Sequence, residues 1–366
     1  MDKNEKNRAR ISLLAVDPFV VTNIVEPTET KVRDKDFISW GDNNSYPDYL
    51  ENLYQKVATL HSVVDGTTDY ICGDNVICNV TNFQERINRK GETIEDLIKW
   101  IAKDLVKFNG FALNIVKNKF GTPAEIYYLD FKRVRSNEDG TKYYYSTDWS
   151  KSYGRVKYIE YDSFFSDSGK EKPSTIFYYK NGCVNTVYPI PIFGASIIAC
   201  EIEKKISEFH LNSIANGFSS NYIINFNSGM PSDELKLEIE DEVYDKFCGS
   251  ENAGRPMLSF NDTKDNETTV TRIDTDSFAD KYNALTTRTK QEIFTSFHCS
   301  PILFGIDQEK TGFNANEYTS AFRLFNKTVV APYQKEIVKS FDKIFGVKDS
   351  ITIEPFTIIF DKDVNA

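Results

Sequence analysis

The sequence predicts an α+β chain built in several parts, and three observations carry that prediction. Apolar residues recur at helical spacing up to residue 108 and then switch to strict alternation from Gly110 onward, the change of period that separates helices from strands. Two prolines, Pro189 and Pro191, close the alternating stretch and open a helix whose apolar residues repeat every three or four positions. Near the C-terminus a long helical pattern over 317–345 carries Pro332 in its middle, where proline removes a ladder donor and crowds the preceding turn.

Length and composition set the limits. At 366 residues the chain can bury two or three domains' worth of core, and 40% hydrophobic with 14% aromatic residues is the make-up of an ordered globular protein. A mean hydropathy of −0.44 leaves abundant surface, which suits an elongated or ring-forming subunit at least as well as a compact enzyme. The net charge is −10, from 44 basic and 54 acidic side chains, so the chain lacks the overall basic footprint with which a protein grips phosphates. Cys72, Cys78, Cys183, Cys200, Cys248 and Cys299 are scattered without a CxxC pair, which reads as reduced thiols. The first ten residues are charged and no apolar run follows them, so no signal peptide is expected. The apolar run at 190–200 is interrupted and too short to cross a bilayer. The expectation is a soluble intracellular protein with no membrane contact.

Residues 1–50 read as an irregular arm with short strands, ending in the turn cluster GDNNSYP at 41–47. A single helix is expected over 48–70, with Leu53, Val57, Leu60 and Val64 near helical spacing, followed by a strand over 71–80. The next helix, 93–108, places Ile94, Leu97, Ile98, Ile101 and Leu105 on one face. Strands are expected at 112–117, 125–130, 142–145, 156–161, 175–179 and 184–188, laid out as an antiparallel meander. Asn181-Gly182 is its strongest hairpin signal.

The helix after Pro191 carries Ile192, Ala195, Ala199, Ile202, Ile206, Phe209 and Ser213 as a narrow stripe flanked by Glu201, Glu203, Lys204, Lys205 and Glu208. Such a stripe faces either the subunit's own core or like helices of neighbouring subunits, with Ile202, Ile206 and Phe209 as the packing residues. A strand at 221–226 leads to an acidic helix at 232–247, with Ser232 as N-cap and Asp233 and Glu234 on its positive end. Its further acids include Glu238, Asp241 and Glu242; the run is either a solvated face or a surface that steers a partner. Strands at 257–261 and 268–273, a helix at 277–298, a turn at 299–306, a Gly/Asn-rich loop at 307–316 and the proline-bearing helix complete the order. One strand and a tail follow residue 351.

No catalytic constellation stands out. There is no GxxxxGK[ST] phosphate loop and no GxSxG elbow. His61, His210 and His298 are far apart, and only antiparallel helices could bring the last two together. Asp262, Asp265 and Glu267 are carboxylates of a kind that turns carry routinely. The expectation is a non-enzyme without catalytic residues, cofactor or metal. A metal-dependent nucleic-acid enzyme is the rival, and it requires magnesium-dependent activity from a monomer.

The order helix, Pro-x-Leu-x-Gly (Pro301 to Gly305), loop, proline-interrupted helix resembles the portal proteins of tailed bacteriophages, in the short-subunit siphophage-type branch. The segment Asn-Ala-Gly-Arg-Pro at 252–256 resembles that family's N-A-G-x-P stretch, and the resemblance spans about residues 48–346. It implies an α+β wing with its N-terminal arm (1–188), two stem helices (189–217 and 275–300) and a small α/β clip insert (218–274). A tunnel loop (301–316), a long kinked wing helix (317–346) and a C-terminal strand and tail (347–366) would complete the subunit, with the crown minimal or absent.

By the same resemblance, the protein would form a homo-oligomeric, about twelve-fold ring at the capsid portal vertex of a virion, after assembly in the host cytoplasm. That ring would pass double-stranded DNA during packaging and ejection. It would dock the terminase large subunit and a head–tail adaptor, and touch the major capsid or scaffolding protein. Lys310, Thr311, Gly312 and Asn314 would form the DNA-channel loop, Gly305 and Pro332 the hinge and kink, and Asp233, Glu234, Glu238, Asp241 and Glu242 the clip's partner surface. The loop reading competes with a plain surface loop. Sliding DNA requires weak phosphate contact, so an acidic wall with a few positive tips fits a conduit. The alternative is a structural adaptor of a phage-like particle that does not translocate DNA.

Overall fold

A computed structural model describes residues 24–151, 156–182, 185–215, 222–225, 269–272, 278–305 and 315–357. They divide between two units: Ile24–Lys204 with Thr287–Ala366, and Lys205–Thr286 with the N-terminal Met1–Asn23. Several expected features fall outside the described residues: the acidic helix at 232–247, the strand at 257–261, the segment at 252–256, most of the 307–316 loop, Cys183 and Cys248.

The larger unit begins with an antiparallel pair, β1 (Glu29–Lys31) and β2 (Ile38–Trp40). Two helices follow where one was expected: α1 (Tyr46–Lys56) and α2 (Ala58–Cys72). They part at Val57, which is extended (φ −103°, ψ 106°) and 1% exposed. A β-branched residue tolerates that backbone, and its burial holds the break. α2 runs two residues beyond expectation, so Ile71 and Cys72 close a helix instead of opening a strand. Gly73 then turns the chain at φ +68°, where a Cβ would collide with the Glu354 carbonyl. Strand β3 (Asn75–Cys78) follows.

Helix α3 (Ile94–Phe108) starts from a capping box in which the Thr93 hydroxyl accepts from the Asp96 N–H, and the Asp96 carboxylate accepts from the Thr93 N–H. Its expected apolar face, Ile94 through Leu105, is buried as predicted. Asn109 ends it in the left-handed region (φ 62°).

A six-stranded sheet lies next in the chain: β4 (Gly110–Lys117), β5 (Pro123–Leu129), β6 (Val134–Ser136), β7 (Lys142–Tyr145), β8 (Ile159–Ser163) and β9 (Ser174–Lys180). The four-residue helix α4 (Asp167–Lys170) joins the last two. The spatial order is β5-β4-β9-β8-β7-β6, with β8 and β9 parallel, so the sheet is not the simple meander expected. The strand expected at 156–161 starts only at Ile159, because the Lys157 carbonyl is taken by the Ser146 hydroxyl (2.8 Å).

The Asn181-Gly182 turn makes no hairpin. Among the described residues 185–188 none is in a strand, because the Val187 and Tyr188 N–H groups go to the Glu29 carboxylate (2.9 and 2.7 Å). The Tyr188 ring is drawn into the core, stacked on Trp40 at 4.6 Å.

Between α3 and the sheet lies a buried acid. Asp104 accepts from the Tyr128 hydroxyl (2.8 Å) and the Phe131 N–H (3.3 Å), tying the β5–β6 turn to the helix. Burial, the dominant cause, pushes its carboxyl pKa up to about 7, against the pull of the nearby Lys107 ammonium.

A short 3-10 turn (Ile192–Ser196) leads into helix α5 (Ile197–Ala215). In the smaller unit, β10 (Tyr222–Asn225) and β11 (Thr269–Arg272) lie where strands were expected near 221–226 and 268–273, and they pair antiparallel. Helix α6 (Phe278–Ser296) then leads back to the larger unit.

There a 3-10 turn (Pro301–Phe304) precedes α7 (Ala315–Phe325), a five-residue π segment (Asn326–Val330) and α8 (Ala331–Phe345). The expected long helix is therefore continuous in helical character, but its register changes immediately before Pro332. Strand β12 (Ile351–Glu354) pairs antiparallel with β3.

Cys72, Cys78, Cys200 and Cys299 are free thiols, and burial pushes the last two up to about 12. Among the described residues no helix is long and apolar enough to cross a membrane, and no group of His, Cys, Asp or Glu is gathered to hold a metal.

Candidate functional site

The loop expected to carry function leaves the described chain after Gly305 and returns at Ala315; Lys310, Thr311, Gly312 and Asn314 lie outside the described residues. Both of its roots are described, and one side chain reaches them both. The Tyr70 hydroxyl, on α2, donates to the Leu303 carbonyl (3.0 Å) and lies 3.1 Å from the Tyr318 hydroxyl on α7. A tyrosine has one proton to give, so Tyr318 is the donor in the second bond. Burial pushes the Tyr70 pKa well above its ordinary value, with Tyr318 adding to the effect, and keeps the group a neutral donor.

The Tyr70 ring is caged as well. Phe304, Phe322, Phe325 and Phe356 stand 5.0 to 6.2 Å from it by ring centroid, mostly edge to face. Gly66, one turn earlier on α2, lets Phe304 approach: a Cβ there would stand 2.7 Å from its ring. Gly305 ends the Pro301–Phe304 turn in the left-handed region at φ 73°. A Cβ on Gly305 would meet nothing within 4 Å, so the backbone turn alone calls for glycine.

Pro332 follows the π segment directly. The Ala331 N–H is given to the Asn326 carbonyl, five residues back, and Pro332 has no N–H. The ladder thus shifts just where the proline would have broken it. A kink was expected at Pro332; the feature described there is a change of helical register just before it.

The stripe on α5 is divided. Ile206 is buried (8% exposed), Ile202 is half-buried, and Phe209 is 48% exposed while stacking on Tyr282 at 5.1 Å. Of the charged residues that flank it, Glu201 and Glu203 are buried, at 5% and 7% exposure. Lys204 pairs with Glu201 at 3.4 Å. Glu203 accepts from the Thr59 N–H (3.2 Å) and hydroxyl (2.9 Å) at the start of α2. Since Val57 caps α2 with no side-chain hydrogen bond, a carboxylate from a distant helix meets the positive helix end.

Sequence reading missed Tyr70 and Glu203 because both contacts join residues remote in the chain. Gly66 did leave a signal, a glycine inside a helical pattern, which costs stability unless a neighbour needs the space. Asp233, Glu234, Glu238, Asp241 and Glu242 lie outside the described residues.

Comparison with known proteins agrees with this architecture. A chain from the virion of a native gene transfer agent particle is similar to this one at 19% identity and a TM-score of 0.55, covering 84% of this chain and 83% of that one. A chain from the neck of the native particle, computed with C12 symmetry, matches at 18% identity and 0.54 with the same coverage. An HK97-family phage portal protein from Corynebacterium diphtheriae matches at 9% identity and 0.50, covering 83% and 93%. A curated protein of uncharacterised function from Rickettsia bellii (strain RML369-C) is 27% identical over 195 residues. That match covers 52% of this chain and spans about half (48%) of the relative. The family model described as phage portal protein matches residues 84–363, most of the chain, and the chain belongs to that family.

Proposed function

We propose that the protein is the portal subunit of a phage or phage-like particle, working as a ring at one capsid vertex. The ring is the channel through which double-stranded DNA is packaged and ejected. It also docks the terminase large subunit and a head–tail adaptor, and contacts the major capsid or scaffolding protein. The protein acts structurally, while the motor supplies the work of translocation. Family membership and the C12 symmetry of the similar neck assembly support the ring and its twelve-fold order.

The observation that carries the channel reading is the pair of hydrogen bonds between the Tyr70 hydroxyl and the loop's two roots. A loop that meets sliding DNA needs fixed roots and a free tip, and roots tied to a buried helix provide the first. Lys310, Thr311, Gly312 and Asn314 form the tip. Asp233, Glu234, Glu238, Asp241 and Glu242 form the clip's partner surface. Ile202, Ile206 and Phe209 pack the stem, and Gly305 and Pro332 serve as hinge and kink. The net charge of −10 per subunit keeps a polyanion from adhering as it passes.

Negative-stain imaging with light scattering tests the reading. A ring near twelve-fold with a central channel is expected. A protein that stays a 42.0 kDa monomer at all concentrations, with magnesium-dependent nuclease activity, would overturn it. Within an assembled particle, Lys310→Ala is expected to alter DNA filling; unchanged filling removes the loop assignment alone.

A further inference from the structure

The π segment and Pro332 form one wall of an open cleft of about 640 Å³ that the ring reading leaves without a role. Its lining includes Lys327, Lys335, His298, Phe297, Pro332 and Tyr333. Lys327 and Lys335 are exposed, and among the described residues neither is paired with a carboxylate. Glu336, the acid that also lines the cleft, is already held by Lys339 (2.6 Å) and the Tyr179 hydroxyl (3.3 Å). In a chain of net charge −10, two unpaired ammonium groups on one cleft are a local reversal of sign.

The backbone adds a second requirement. Ala331 gives its N–H to Asn326, and Pro332 has none, so the Lys327 carbonyl receives neither an α-type nor a π-type bond. The cleft therefore offers cations, an acceptor without its helical donor, and an apolar floor of Phe297, Pro332 and Tyr333. A nucleic-acid backbone answers the cations but brings no N–H for the carbonyl, and a convex duplex leaves a cleft floor uncovered. A peptide brings a carboxylate, a backbone N–H and an apolar side chain together.

We propose that this cleft docks a short acidic segment of a partner protein, with a carboxylate on Lys327 and Lys335. A neighbouring aliphatic or aromatic side chain covers Pro332, and a backbone N–H reaches the Lys327 carbonyl. Charge complementarity selects the partner. The proposal does not depend on ring formation or on DNA transit.

The test is fluorescence anisotropy on the full chain with a labelled pentapeptide absent from this chain, Glu-Asp-Val-Phe-Glu, against its neutral counterpart Gln-Asn-Val-Phe-Gln and a DNA duplex. Binding of the acidic peptide is expected, weakened about tenfold or more by the neutral sequence and by K327Q/K335Q. The conservative pair K327R/K335R should retain it. Both variants alter exposed side chains, and circular dichroism checks that each is folded. Pro332→Ala, which returns an N–H to the ladder, should weaken binding several-fold without touching a charge. No peptide binding, or equal binding by K327Q/K335Q, overturns the proposal. Loss of duplex binding alone in that variant also overturns it, by making the cleft a phosphate site.

Discussion

Tyr70 and Leu303 are 233 residues apart in the chain, yet the hydroxyl of the first donates to the carbonyl of the second at 3.0 Å. The same hydroxyl accepts from Tyr318, so one buried side chain on α2 closes a clasp around both roots of the 306–314 segment. The rest of the Tyr70 environment is aromatic, which makes the two polar contacts costly to lose.

Tyr70→Phe keeps the ring and removes the clasp. It should cost about 1–3 kcal/mol, since the Leu303 carbonyl and the Tyr318 hydroxyl both lose a partner. Amide exchange followed by mass spectrometry should show faster exchange at 301–305 and 315–320, with the β4–β9 core unchanged. Uniform loss of protection throughout would mean that Tyr70 serves global stability and no local clasp exists.

Gly66→Ala sets two effects against each other. Alanine favours a helix over glycine by about 1 kcal/mol, while forcing Phe304 from its seat costs about 1–3 kcal/mol. The clash should win, and urea denaturation should show net destabilisation. Adding Phe304→Leu should recover part of it in a double-mutant cycle. A Gly66→Ala protein more stable than wild type would show that Phe304 moves freely.

Glu203 acts as a cap supplied from another helix. Glu203→Ala should destabilise by about 2 kcal/mol, the upper range for losing a helix cap. Glu203→Gln, which keeps an acceptor and loses the charge, should cost less, about 1 kcal/mol. Equal effects of the two would assign the whole contribution to the charge.

Asp104 makes stability depend on pH with a definite sign. Burial raises its folded pKa from 3.8 to about 7, so the folded protein binds that proton more tightly than the unfolded chain. The contribution is present in full below about pH 4 and is lost as pH rises through about 7, a change on the order of 4 kcal/mol. Asp104→Asn lacks this group. The stability of that variant relative to wild type should therefore rise between about pH 4 and about pH 8 by denaturant titration. A constant difference across the window would place the Asp104 pKa near its ordinary value.

Pro332→Ala restores an N–H to the helix. The gain should be well under the ~3 kcal/mol of a mid-helix proline, because the π segment already absorbs much of that conflict. In an assembled particle the variant should fill with DNA poorly if the register shift is used. Normal filling would make the proline incidental.

Much of this protein was legible in the sequence because local rules act locally. The face of α3, the strands β4, β5, β7, β9 and β11, and the Pro332 irregularity follow from period and proline chemistry. Strand β6 was hidden because Arg135 sits in its middle and breaks the apolar alternation. Arg135 is 1% exposed, with its guanidinium bonded to Asn44 and 4.9 Å from the Trp149 ring. Asn181-Gly182 is a strong hairpin signal, but a remote carboxylate, Glu29, claimed the N–H groups that the hairpin needed.

The sequence by itself determined where most of the helices and strands lie and which segments resemble a portal subunit. Tertiary structure alone decided which carboxylate caps α2, which strand lies parallel to β9, and which tyrosine holds the loop roots. The physical reason is range. Propensity, period and capping depend on residues within a turn or two of one another. The contacts Tyr70–Leu303, Glu203–Thr59 and Glu29–Tyr188 join partners more than a hundred residues apart, and only the packing of distant elements brings their polar groups within bonding distance.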